Sequence, residues 1–158
     1  MYMRLYIKQK VFSFKDQFTV KDEKENDAFY VEGKAFSVGN RLHVTDTSGE
    51  EVLYIEQKLF RISPEYDLFQ NDDKVATVKK DFNLFANNYT ILGPDWHIKG
   101  SITEHNYVIK ENDQDIAHVS KKLLSWGDSY SIDIYDESHL GILLGIVIVI
   151  DCVNQKNN

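Results

Sequence analysis

The chain holds a single cysteine, Cys152. One thiol cannot form an intrachain disulfide, so nothing points to an oxidising compartment. Only two prolines and eight glycines occur in 158 residues, which excludes a low-complexity linker. Positive charge is also in short supply: 18 Lys and Arg face 25 Asp and Glu, for a formal net charge of -7. A chain this acidic lacks the bulk electrostatics that hold proteins on nucleic acid or anionic membranes, leaving room only for a local basic patch. No apolar run reaches the roughly 20 residues that cross a bilayer. The longest stretch without a polar side chain is Leu140 to Ile150. The opening "MYMRLYIKQKVFSFKDQF" carries Arg4, Lys8 and Lys10, and its longest apolar run is Leu5 to Ile7, so it does not read as a signal peptide. The expected location is therefore the cytoplasm. With 42% hydrophobic and 27% charged residues, 1–158 reads as one globular domain able to bury a core.

The body of the chain is rich in β-branched and aromatic residues interrupted by polar turns, the pattern of an all-β fold. The turns include "KDEKEND" (21–27), "TDTSGEE" (45–51), "FQNDDK" (69–74), "FANN" (85–88), "ILGPD" (91–95), "SITEHN" (101–106) and "KENDQD" (110–115). Their Gly, Asn, Asp, Ser and Pro residues supply positive φ or local side-chain caps. The chain also aligns to itself: "VLYIEQKLFRISPEYDL" (52–68) matches "IAHVSKKLLSWGDSYSI" (116–132), with "VATVKKDFNLFANNYTI" (75–91) between them. In each copy an aliphatic residue precedes a tyrosine at a fixed spacing: Ile55 and Tyr66, Val78 and Tyr89, Val119 and Tyr130. A weaker copy, "FYVEGKAFSVGNRLHV" (29–44), has Leu42 in the tyrosine place, and a degenerate unit surrounds Ile98. Each unit is a strand, a turn and a returning strand. The predicted strands are 4–8, 17–22, 28–35, 41–46, 51–58, 65–70, 74–80, 88–93, 95–101, 106–110, 115–121 and 129–134.

An open sheet of about twelve strands would curl and offer edges for aggregation, whereas a closed barrel removes them. Such a barrel is too wide for strand side chains alone to fill. It needs a filler about 10–12 Å across and apolar on every side, the dimensions of an α-helix. "GILLGIVIVIDCV", Gly141 to Val153, fits that need. It has no polar face, Asp136 or Ser138 can cap its start, and Gly141 and Gly145 lie on one helical face where a strand can approach. The five β-branched residues Ile146 to Ile150 speak for a buried strand instead. Burial on all sides overrides so weak a propensity, and the helix is the preferred reading.

Taken together, "LYIKQKVFSFKDQFTVKDE", "FYVEGKAFSVGNRLHVTDTSGEEV", the "IEQKLFRISPEYDLF" hairpin and the closing apolar segment resemble the LURP-one-related family. That family's bacterial members include YxjI-like proteins, and it groups with tubby C-terminal domains and phospholipid scramblases. The resemblance covers about residues 3–151. It implies a mainly β fold: a closed antiparallel barrel of twelve strands around a C-terminal hydrophobic helix. It also implies a bacterial source and a lipid headgroup or protein as ligand, as tubby domains bind phosphoinositides through basic surface residues. Scramblase activity does not carry over, because no Cys-rich palmitoylation segment accompanies the fold.

Candidate site residues are few. Lys34, Lys58 and Lys122 follow the aliphatic anchor of their repeats at one spacing, and Lys80 lies near that place in the Val78 copy. A ring of lysines on adjacent strands can bind phosphate groups; equally, outward lysines keep a barrel soluble. The acidic turns lack the spacing of a calcium loop. The histidines, His43, His97, His105, His118 and His139, show no short metal-ligand spacing, so no metal or other cofactor is expected. No G-x-S-x-G elbow and no phosphate loop occurs, since "GPDWHIKG" (93–100) lacks the G-K-[ST] ending. Trp96 and Trp126 follow turns and read as covers for the barrel ends. The expected function is a non-catalytic binding or scaffold module, with a lipid headgroup or a protein as partner and no nucleic acid. The alternatives are an enzyme with a rim site built from scattered histidines, or a structural, oligomeric protein.

Overall fold

The computed structural model describes residues 3–8, 17–33, 39–82, 87–124 and 127–156, with the backbone course alone for Lys8, 122–124, 127–128 and 155–156. The strands are β1 (Met3–Lys8), β2 (Gln17–Lys21), β3 (Asp27–Gly33), β4 (Arg41–Asp46), β5 (Glu51–Gln57), β6 (Glu65–Gln70), β7 (Asp73–Lys80), β8 (Tyr89–Leu92), β9 (Trp96–Ser101), β10 (Asn106–Glu111), β11 (Gln114–Leu124) and β12 (Gly127–Ile134). A 3₁₀ turn, Glu137–His139, leads into one helix, α1 (Leu140–Lys156).

All twelve strands form one antiparallel sheet in the order β8-β7-β6-β5-β4-β3-β2-β1-β12-β11-β10-β9. The chain ends meet within it, with Met3 of β1 opposite Ile134 of β12. The sheet curls into a barrel that is nearly closed. Its two end strands, β8 and β9, are consecutive in sequence but share no ladder pairing among the described residues. At this seam the Asn87 side-chain amide donates to Thr103 Oγ1 at 3.4 Å, and the Tyr89 hydroxyl donates to Asn154 Oδ1 of α1 at 2.7 Å. A β8 of four residues leaves little unpaired edge exposed.

Alternation explains the strands. β8 runs buried, exposed, buried, exposed, and β2 and β3 keep the same two-residue period. Their inward residues, among them Val20, Val31, Leu42, Ile55, Leu68, Val78 and Ile132, surround α1. Every residue of α1 from Ile142 to Val153 is buried. The β-branched run Ile146–Ile150 is thus helical, as enclosure on all sides outweighs propensity. Gly145 faces β5 and β6 so closely that an added Cβ would collide with Leu53 and stand 3.0 Å from Leu68 Cδ2. At Gly141 the same atom would lie 3.2 Å from the Val52 carbonyl oxygen. The two glycines do let a sheet approach.

Two expectations about α1 need correction. The helix extends to Lys156, past the 141–153 stretch read as the plug, so with its leading turn it is long and apolar enough to cross a membrane although no apolar run in the sequence is. Enclosure by the barrel, and not shortness, is what occupies it. Asp136 also stands at the N-cap position of the 3₁₀ turn rather than of α1, and its side chain makes no capping bond; its carboxylate accepts from Ser138 Oγ and bonds the His139 ring at 2.6 Å.

Candidate functional site

The up-and-down order sends every odd-to-even connection to one rim and every even-to-odd connection to the other. The two rims differ in chemistry. Turns of the second rim carry carboxylates and fold back on themselves. Asp46 accepts hydrogen bonds from the Ser48 and Glu50 amides at 2.9 and 3.0 Å, and from the Ser48 hydroxyl at 2.6 Å. Those bonds hold its carboxyl below the usual aspartate range, the Ser48 hydroxyl contributing most. Asp22 accepts from the Lys24 and Asn26 amides in the same way. Asp72, Asp95, Asp113 and Glu137 stand at this rim as well. Trp96 closes it beside the start of α1, meeting His139 edge-on at 5.3 Å and donating from Nε1 to Glu111. This is the covering role expected of it; Trp126 lies outside the described residues.

At the first rim β5 turns into β6 through Lys58 to Pro64. The Lys58 amide donates to the Glu65 carbonyl at 2.8 Å, and the Lys80 amide donates to the Pro64 carbonyl at 2.9 Å. That second bond sets Asp81 and Phe82 beside the turn. Phe60 is 98% exposed, Ile62 91% and Phe82 75%. Phe60 also takes φ +61°, a conformation rare for a bulky residue. Arg61 and Lys79 are exposed next to these rings.

Of the lysines singled out from the sequence, Lys58 and Lys80 stand at strand ends on this rim. Lys58 is already held: its ammonium lies 2.9 Å from Glu65 and 3.6 Å from Asp67, and Glu65 also receives Arg61 at 3.7 Å. The bond to Lys58 pulls the Glu65 carboxyl down, against the effect of burial. Lys80 ends β7 opposite Tyr89 and is half-buried. Lys34 lies outside the described residues, as does the Lys122 side chain, although Lys122 pairs with Ser129 in the ladder. Sequence reasoning implied a turn between residues 58 and 65 but missed the apolar tips, because the turns were read for their polar residues. A signal was present: Lys10-Val-Phe12, Lys34-Ala-Phe36, Lys58-Leu-Phe60 and Lys80-Asp-Phe82 recur at successive hairpins.

Inside the first rim the repeat tyrosines converge on the last turns of α1. Tyr66, Tyr89, Tyr107 and Tyr130 are all buried, and burial pushes their hydroxyls up, Tyr66 to about 12. Asn40 donates to the Tyr66 oxygen at 3.1 Å. His105 Nε2 sits 3.0 Å from Asp151 of α1, and its ring stacks on Tyr130 at 4.7 Å. Around His105, Tyr107, Tyr130 and Asp151 the packing leaves no space large enough for a water molecule. A histidine and a carboxylate at this distance can orient a base, yet the pair is closed over by tyrosines. The Cys152 thiol, buried and beside Asp151, is pushed too high to serve as a nucleophile.

The other histidines do not gather. His43 pairs with Glu51 at 2.9 Å, His97 with Asp95 at 3.2 Å and His139 with Asp136, while His118 lies 3.3 Å from Asn106. Among the described residues no three His, Cys, Asp or Glu side chains group as metal ligands. On the outer wall His43, Tyr54 and Phe69 form a ladder of rings 4.8 and 5.9 Å apart, lining an open groove of about 450 Å³ with Glu51, Glu56 and Asp72. Two of those carboxylates already hold partners, His43 and Arg41.

A nearly closed antiparallel barrel plugged by its own C-terminal helix, with its distinctive surface at one rim, defines a class of protein. The LURP-one-related family profile matches residues 3–151, and the chain belongs to that family. It is 38% identical over 151 residues to the uncharacterized protein YxjI of Bacillus subtilis strain 168, covering 96% of this chain and 93% of that protein. An X-ray structure of an Arabidopsis thaliana protein superposes with a TM-score of 0.71 at 21% identity, covering 97% of this chain and 91% of the other. That likeness speaks for the fold alone. Nothing in these relatives indicates catalysis.

Proposed function

We propose that the protein is a non-catalytic binding module that works at anionic lipid surfaces through the rim built on the 58–64 turn. The observation that carries this reading is the division of chemistry between the rims. Carboxylate turns crowd one end, while the other presents Phe60, Ile62 and Phe82 next to Arg61, Lys79 and Lys80. The plugged interior supports it too, since a barrel filled by α1 offers no central ligand cavity.

The net charge of -7 reads at first as an obstacle. Distance removes most of it. Strands of six to eight residues, such as β6 and β7, separate the rims by about 20–25 Å. That is more than two Debye lengths at physiological ionic strength, about 8 Å each, so the acidic turns are largely screened from a surface at the opposite rim. Basic residues at the contact each contribute about 1 kcal/mol near an anionic leaflet. On this reading the protein works in the cytoplasm, facing the anionic inner leaflet.

Flotation with vesicles of phosphatidylcholine alone and with added phosphatidylserine or phosphoinositide, at low and physiological salt, tests the proposal. Binding that rises with anionic lipid and falls with salt is expected. Absence of binding at every composition overturns it.

A further inference from the structure

Resting on that reading, we infer that Phe60, Ile62 and Phe82 are an anchor that enters the lipid hydrocarbon, with Arg61, Lys79 and Lys80 lying at headgroup level. Three observations converge. The apolar side chains are largely exposed, although the inward apolar residues of the flanking strands, Leu53, Ile55, Tyr66, Leu68 and Val78, are buried. Large apolar groups so placed gain nothing from the fold, so their return must come from outside it. Phe60 is held at φ +61°, an unfavourable conformation for a phenylalanine, and its nearly complete exposure leaves little packing to offset it.

The arrangement of charge then selects the occupant. A protein partner would need a broad, shaped patch of the order of 800 Å² per side. The apolar tips are instead three side chains, carried on two loops joined by the Lys80 to Pro64 hydrogen bond. Basic residues adjoin them in the sequence: Arg61, which also reaches Glu65 at 3.7 Å, lies between Phe60 and Ile62, and Lys79 and Lys80 precede Phe82 across Asp81. Exposed apolar groups flanked by cations suit an anionic membrane surface, which offers hydrocarbon below a charged headgroup layer. Three side chains give a shallow, reversible attachment. The plug α1 stays in place, because its burial by the barrel does not depend on this rim's tips.

The test compares the full chain with Phe60→Ser, Ile62→Ser, Phe82→Ser and the triple variant in flotation with phosphatidylserine vesicles. Each single change is expected to weaken partitioning about tenfold, and the triple change to abolish it, with Tm unchanged. Phe60→Leu is expected to keep most of the binding. A second arm places an environment-sensitive fluorophore at Ile62→Cys or Ser48→Cys; buried Cys152 stays unlabelled. The probe at 62 is expected to shift to the blue with vesicles and to be quenched by brominated acyl chains, and the probe at 48 to do neither. If the parent chain binds but the triple serine variant binds equally, or the probe at 62 stays in water, the anchor is refuted while lipid-surface binding stands. If the parent chain does not bind at all, the underlying reading fails as well.

Discussion

The two rims are made by the same repeating hairpins, yet they share almost no chemistry. At the acidic rim the 22–26 and 46–50 turns satisfy themselves: Asp46 alone accepts three hydrogen bonds from Ser48 and Glu50. At the other rim the 58–64 turn leaves Phe60 and Ile62 in solvent. The strands are constrained by a two-residue period and a filled interior, so they must repeat. Turns are not so constrained. The difference between the rims is therefore where selection for something other than folding is visible.

The comparison can be broken or sharpened experimentally. The largest effect is expected from the plug that both rims share. Gly145→Glu places a charge against Leu53 and Leu68 with no partner. Circular dichroism should show no cooperative unfolding transition and no native sheet signal. A stable, folded Gly145→Glu protein would disprove the packing of α1.

Next comes the seal at the inner side of the apolar rim. His105→Ala leaves Asp151, 4% exposed, without its histidine and should cost on the order of 3 kcal/mol in urea unfolding. A pH dependence follows from Glu65. Its folded carboxyl is held below the ordinary 4.5, chiefly by the hydrogen bond to Lys58. A depressed pKa gives stability that is present above the unfolded value and lost as pH falls through the folded one. Tm should therefore hold steady down to about pH 4.5 and then decline, and Glu65→Gln should remove about 1 kcal/mol of that dependence. Equal acid sensitivity in both proteins would show that the Lys58 pair contributes nothing.

Smallest of all should be the rim turns themselves. Asp46→Ala should lower Tm slightly, because three donors then turn to water. The Phe60→Ser and Ile62→Ser proteins should melt within about 0.5 kcal/mol of the parent. If the serine variants lost more stability than Asp46→Ala, the apolar tips would be structural and the contrast between the rims would collapse.

Much of this architecture was legible in the sequence. The strand boundaries fall within a few residues of those read from alternation, with β11 reaching Leu124 where 121 was expected. The repeated tyrosines were legible as a pattern but not as a purpose. Tyr66, Tyr89 and Tyr130 prove to form a collar around the last turns of α1, and that collar is why the helix continues through Asp151 and Asn154. Polar residues there looked like an end, because periodicity cannot show a partner supplied by distant strands. The seam between β8 and β9 was equally invisible, since closure depends on curvature and stagger rather than on local pattern. As for the candidate site, of the four lysines singled out only Lys58 and Lys80 have described side chains, and Lys58 is paired with Glu65 and Asp67. The exposed tips escaped notice because turns are sought by their polar residues.

The order of the chain carries a consequence for its synthesis. β1 must wait for β12, and the sheet's apolar face must wait for α1, the final 17-residue element of the fold. At translation speeds of about 5–20 residues per second, β1 leaves the ribosome on the order of ten seconds before the plug is made. During that interval the growing meander has an inner surface and nothing to put inside it. Loop closure over so long a separation is also slow. A nascent chain stalled before Leu140 should therefore be a strong client for chaperones, and a messenger cut short at that point should yield aggregate rather than a smaller barrel.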